Sequence, residues 1–180
     1  MNRKLVSLCS LTVLLTFVIS IALEVHVVKA SGTIYIRSDG SIEPSDAPLS
    51  TNDNVTYSLV SNVTSNADGI VIERDNIRLH GVSYILQGTG AQNYYIGIDL
   101  AGRKNVAIEK IEIKAFSIGI RLDSCSNNII SGNIVTKHNY DGIRLLRGSN
   151  NNVVFRNILT DNNPNIRLDF SSNYNTIYGN

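Results

Sequence analysis

Gly142-Ile143-Arg144-Leu145 is one of five near copies of the same four residues. The others are Gly69-Ile70-Val71-Ile72, Gly97-Ile98-Asp99-Leu100, Gly119-Ile120-Arg121-Leu122 and, with the glycine replaced, Asn165-Ile166-Arg167-Leu168. Successive copies start 28, 22, 23 and 23 residues apart. A near-constant period in this range marks a solenoid, whose single repeat cannot bury its apolar side and gains a core only by stacking on its neighbours.

A second block runs in step with the first. It reads asparagine, apolar, any, apolar, and starts at Asn76, Asn105, Asn128, Asn152 and Asn175, at intervals of 29, 23, 24 and 23 residues. In both blocks apolar and polar residues alternate over three or four positions, the apolar ones are mostly β-branched or Leu, and Gly, Asn, Ser and Asp bound them. That is the pattern of short strands joined by tight turns. With no helical stretch between them, the strands predict an all-β parallel β-helix, one coil per repeat, the coils about 4.8 Å apart. A leucine-rich repeat has the same period, but there the asparagine follows the last strand leucine by three residues and the return arc is helical. Here Leu122 precedes Asn127 by five, and Ile129 to Val135 is β-branched with Gly and Asn inside it.

The pleat sends Ile98 and Leu100, Ile120 and Leu122, Ile143 and Leu145, and Ile166 and Leu168 inward as two stacked columns. The recurring asparagines suit the corners, because Asn tolerates the left-handed backbone and its amide can donate to and accept from equivalent amides one coil away.

Residues 1–30 read as a targeting segment. Arg3 and Lys4 precede an apolar run from Leu5 to Leu23, and Val28-Lys29-Ala30 suits cleavage before Ser31, with an uncleaved membrane anchor as the alternative. Either way the repeats are delivered outside the cytoplasm. Residues 31–68 lack the period and are expected to cap the first coil, and 69–180 carry the repeats, the last incomplete. Further coils or a partner are expected at that C-terminal end, where strand edges would otherwise be bare. Asn54-Val55-Thr56 and Asn62-Val63-Thr64 match the glycosylation sequon.

Beyond residue 30 there are 13 basic and 14 acidic side chains, a balance that gives no pull toward nucleic acid. Cys125 is the one thiol past the targeting segment, so no internal disulfide is available. Its place at a turn suits a small structural residue.

Ser126-Asn127-Asn128-Ile129-Ile130-Ser131-Gly132-Asn133-Ile134 and the Gly-Ile-x-Leu blocks resemble the right-handed parallel β-helix repeats of NosD-type periplasmic proteins. They also resemble the wider group of carbohydrate-binding proteins and sugar hydrolases that share the repeat. The resemblance spans about Gly69 to Asn180 and implies a single-stranded, right-handed solenoid of about five coils. For the NosD group it also implies copper supply to nitrous oxide reductase. The residues depart from that role. Copper favours convergent Met, Cys or His, yet past the targeting segment there is no Met, one Cys, and two histidines, His80 and His138, in different columns. No metal site and no cofactor is expected.

One charged constellation emerges from the repeat. The outward position between Ile and Leu reads Asp99, Arg121, Arg144 and Arg167 along successive coils, with Asp123 and Asp169 two positions further along the same face. Arg and Asp can neutralise each other across the ladder, or the guanidinium forks can meet the carboxylates or sulfates of an acidic polysaccharide such as a cell-envelope glycan. A glycoside hydrolase or polysaccharide lyase would have to use the same face, with Asp99 and Asp123 as its carboxyl pair. Every candidate is a repeat position, however, and the extended stretch Gln87 to Tyr95 carries no acid or base. The function expected is therefore a non-catalytic binding or structural module. Tyr94 and Tyr95 are expected to pack over the coil edge, with sugar stacking as the alternative.

Overall fold

The computed structural model describes residues 29–90, 93–169 and 171–180. The stretch read as a targeting segment, apart from Lys29 and Ala30, lies outside them, as does Cys9. The described chain is a parallel β-solenoid of about five turns with three sheets along its length.

The first sheet stacks Ile34–Ile36, Ile70–Ile72, Ile96–Ala101, Ile118–Asp123, Ile143–Leu146 and Ile166–Leu168. The second stacks Thr56–Leu59, Arg78–His80, Ala107–Glu109, Ile129–Ser131, Val153–Phe155 and Thr176–Tyr178. Lys29–Ser31, Val63–Ser65, Ile85–Gly88, Glu112–Lys114, Ile134–Thr136 and Ile158–Thr160 form the third. Residues 31–68 thus add a strand to each sheet, and two antiparallel pairs occur there, Ile34–Ile36 with Ile42–Glu43 and Leu49–Thr51 with Thr56–Leu59. The strand Lys29–Ser31 straddles the expected cleavage point after Ala30 and pairs with Val63–Ser65.

The two aliphatic columns of the first sheet form as the repeat predicts. Ile70, Ile98, Ile120, Ile143 and Ile166 are register partners, and so are Leu100, Leu122, Leu145 and Leu168. Ile98 through Leu145 in these columns are fully buried. At roughly 1.5–3 kcal/mol per buried aliphatic side chain, they dominate the fold.

The second sheet corrects the sequence alignment by one residue. Leu79, Ile108, Ile130, Val154 and Ile177 are register partners, so Asn76 and Asn105 align with Asn127 and Asn151, not with Asn128 and Asn152. The slip matters because a one-residue shift turns every side chain of a strand over. Ile130 is buried while Ile129 is 40% exposed.

The two jobs given to a single asparagine are in fact divided between neighbours. Asn76, Asn105, Asn127 and Asn151 adopt left-handed φ of 56–60° and turn the chain. The next residue points inward, and from the third coil onward it is the ladder asparagine. Asn128 donates its backbone N–H and Nδ2 to Asn152 Oδ1, both at 3.0 Å, and Asn152 repeats this on Asn175 at 2.9 and 3.1 Å. A second ladder, Asn133 to Asn157 to Asn180, lines the next corner in the same way. At the third corner His138 takes the place of an asparagine. Phe116 N–H donates to His138 Nδ1 at 3.2 Å, His138 Nε2 meets Ile113 O at 3.2 Å, and His138 N–H donates to Asn162 Oδ1. These polar groups occupy buried corners where unpaired donors would cost about 1–3 kcal/mol each.

The glycine of the repeat also has a different reason from the turn it first suggests. Gly119 does not have positive φ. A Cβ there would stand 2.5 Å from Gly142 O and 2.5 Å from Val135 Cγ1, and Gly69, Gly97 and Gly142 meet the next coil's carbonyl in the same way. Glycine is needed for close approach between coils.

Candidate functional site

The strand register brings the outward residues Asp99, Arg121, Arg144 and Arg167 into one row, with Asp123 beside Leu146 in the next. Each arginine meets a carboxylate. Arg121 grips Asp99 with both prongs, Nε to Oδ1 at 2.9 Å and Nη2 to Oδ2 at 2.7 Å, and this contact raises the already high pKa of its guanidinium. Arg144 Nη2 donates to Asp169 Oδ2 at 3.0 Å.

Two partners were not legible as part of this row. Asp141 is 1% exposed, accepts Arg167 Nε at 2.6 Å and lies 3.6 Å from Arg144 Nε. Its signal was present in the Asp-Gly dipeptide shared by 68–69 and 141–142. Arg147 donates to Asp123 Oδ2 at 2.9 Å while 69% of its side chain stays exposed; it follows the outward row and no column marked it.

Arg121, Asp123, Arg144 and Arg147 line a groove of about 410 Å³ together with Ile118 and Leu146. Three guanidinium groups thus face one carboxylate across two largely buried aliphatic side chains. Arg121 has committed its fork to Asp99. Arg144 meets Asp169 and lies beside Asp141, whereas Arg147, 69% exposed, is the guanidinium most open to a ligand. A larger hollow of about 600 Å³ on the second sheet, lined by Val55, Asn76, Arg78 and Ala107, offers less chemistry, since its one charge is paired with Glu109 at 3.2 Å.

Tyr95 packs against the core as expected, but Tyr94 does not. Tyr94 is 77% exposed and stacks on Tyr140, with ring centroids 5.3 Å apart, planes 12° from parallel and hydroxyls 3.2 Å apart.

Residues 19–180 match the family model described as periplasmic copper-binding protein (NosD). The chain belongs to the NosD family. That description implies a periplasmic protein. No curated protein and no solved structure matches the chain.

The NosD description raises the question of copper, which the donor chemistry of this chain can answer. Among the described residues no three of His, Cys, Asp and Glu gather as a metal site would require. Cys125 is buried with its Sγ against Leu100 O, and burial pushes its thiol pKa up, away from the thiolate that binds metal. Both ring nitrogens of His138 are engaged inside the solenoid, and His80, on the second sheet, accepts the Val82 N–H at its Nδ1. The described residues of this NosD chain do not fit a copper ion.

Proposed function

We propose that this NosD-family protein is a non-catalytic, extracytoplasmic binding module on a right-handed solenoid, and that its groove takes the carboxylate of an acidic polysaccharide. The observation that carries the reading is the groove itself: Arg121, Arg144 and Arg147 line it with Asp123 as the one carboxylate among its lining residues, and Arg147 stays 69% exposed while it holds Asp123. A planar guanidinium on a rigid strand meets a carboxylate with little loss of freedom. The carboxylates an enzyme would need are held by arginines, Asp99 by Arg121 and Asp123 by Arg147, which favours binding over catalysis.

Calorimetric titration of the protein with polygalacturonate tests the proposal. Binding that weakens with salt, and that falls at least tenfold in an Arg144→Ala/Arg147→Ala variant, is expected. Absence of binding at low ionic strength, or an unaffected double variant, rejects it.

A further inference from the structure

We infer that Tyr94 and Tyr140 form a sugar-stacking subsite at the upstream end of the groove, so that ring and carboxylate of one uronate oligosaccharide are read by two separate devices. The inference rests on the proposed groove only for the charged half of the ligand.

The two rings are the observation to be explained. Tyrosines that serve a core are covered, as Tyr57 is, but Tyr94 and Tyr140 are 77% and 43% exposed and still held parallel. The backbone makes room for them. Tyr95, Ser117 and Tyr140 lie on successive coils, since Ser117 N–H donates to Tyr95 O and Tyr140 N–H to Ser117 O, both at 2.9 Å. Ser117 is small and buried, so Tyr94 can reach past it to a ring on the following coil. Ser117 Oγ also donates to Asn93 O at 2.6 Å, which ties down the residue before Tyr94. The result is an aromatic ledge built on stacked corners of the solenoid, ordered before any ligand arrives.

A tyrosine ring with one wet edge presents a flat apolar face and a hydroxyl. That combination suits a pyranose, whose faces carry C–H groups and whose rim carries hydroxyls. The ledge adjoins the arginines directly. Tyr140 precedes Asp141, the residue that holds Arg167, and Arg144 follows four positions later on the strand Ile143–Leu146, no more than about 14 Å away even for a fully extended chain. A short oligosaccharide covers that distance, with one sugar on the tyrosines and the carboxylate of another at Arg144.

The test separates the two devices by removing charge from the ligand without removing its rings. Hexagalacturonate and its fully methyl-esterified form are titrated into the parent protein and into Tyr94→Ala, Tyr140→Ala, Tyr140→Phe and Arg144→Ala/Arg147→Ala, with thermal melts as the folding control. Both ligands are expected to bind the parent. Each Tyr→Ala change should weaken both at least tenfold, Tyr140→Phe should retain most of the affinity, and the arginine variant should weaken only the charged ligand. Because the chain has no Trp, ligand-induced changes in tyrosine emission give a second readout on the parent alone. The inference is overturned if the tyrosine variants bind both ligands like the parent, or if neither ligand binds. Loss in the tyrosine variants with none in the arginine variant would remove the groove reading and leave the ledge standing.

Discussion

His138 sits where neighbouring corners place asparagine, and replacing it with asparagine should remove an acid sensitivity built into the core. The imidazole is 3% exposed, and its hydrogen-bond partners are backbone groups of Phe116 and Ile113. Burial lowers its pKa from 6.5 to about 4, against smaller opposing effects of those two hydrogen bonds. Above pH 6.5 the ring is neutral in both folded and unfolded chains and stability is complete. As pH falls below 6.5 the unfolded chain takes up a proton that the folded one refuses, so stability declines by about 1.4 kcal/mol per pH unit until the folded value is reached. At pH 4.5 the loss amounts to about 2–3 kcal/mol. Asn133 and Asn157 show that an asparagine at such a corner accepts from the preceding coil and donates to its carbonyl. His138→Asn should therefore fold, at a cost of about 1–2 kcal/mol at pH 7.5 for the lost ring volume. Its urea midpoint should then fall less between pH 7.5 and 4.5 than that of the parent. Carboxylates, with ordinary pKa values of about 3.9–4.3, are already partly protonated at pH 4.5 in both proteins, so the imidazole's share is the difference in slope between parent and variant. Equal pH slopes in parent and variant would refute the reasoning.

Other corners and columns give sharper losses. Leu122→Asp puts a carboxylate at the centre of a fully buried column and should cost more than about 4 kcal/mol, read as loss of the thermal transition. Asn152→Ala leaves the Asn128 N–H and amide without their shared acceptor and should lower stability by about 3 kcal/mol in urea. Gly119→Ala forces a methyl against the Gly142 carbonyl and should cost at least about 2 kcal/mol, whereas Gly132→Ala meets nothing closer than 3.8 Å and is penalised only through its φ of 64°. A chain beginning at Lys29 should take up no stoichiometric Cu(I) in competition with a chelator; uptake abolished by His80→Ala or Cys125→Ser would contradict the donor analysis given above.

The first sheet was the most legible part of the molecule, because each coil repeats Ile-x-Leu, or Ile-x-Ile in the first copy, and the period alone aligns it. The second was legible as strands but not in register. Asn-Asn at 127–128 and 151–152 offers two starting points for the same block, and only the pairing of Leu79, Ile108 and Ile130 chooses between them. The charged row and its carboxylates Asp99, Asp123 and Asp169 could be placed from the pleat, but two further partners could not. Asp141 recurs in only one other coil, as Asp68, and Arg147 lies beyond the outward row, so neither stood out as a column. The meeting of Tyr94 with Tyr140 is further still from the sequence: it joins residues 46 apart across Ser117, a position without any pattern of its own.

The direction of the asparagine bonds gives the molecule an order in time. Val106 N–H is received by Asn128, Asn128 by Asn152 and Asn152 by Asn175, so each of these backbone N–H groups waits for an Oδ1 from the coil made later. Threaded across a membrane amino end first, such a chain would finish each turn only as the next one arrived, and every coil would act as a latch on its elder. Undocking would run the other way, youngest turn first, like a zip opened from its last tooth.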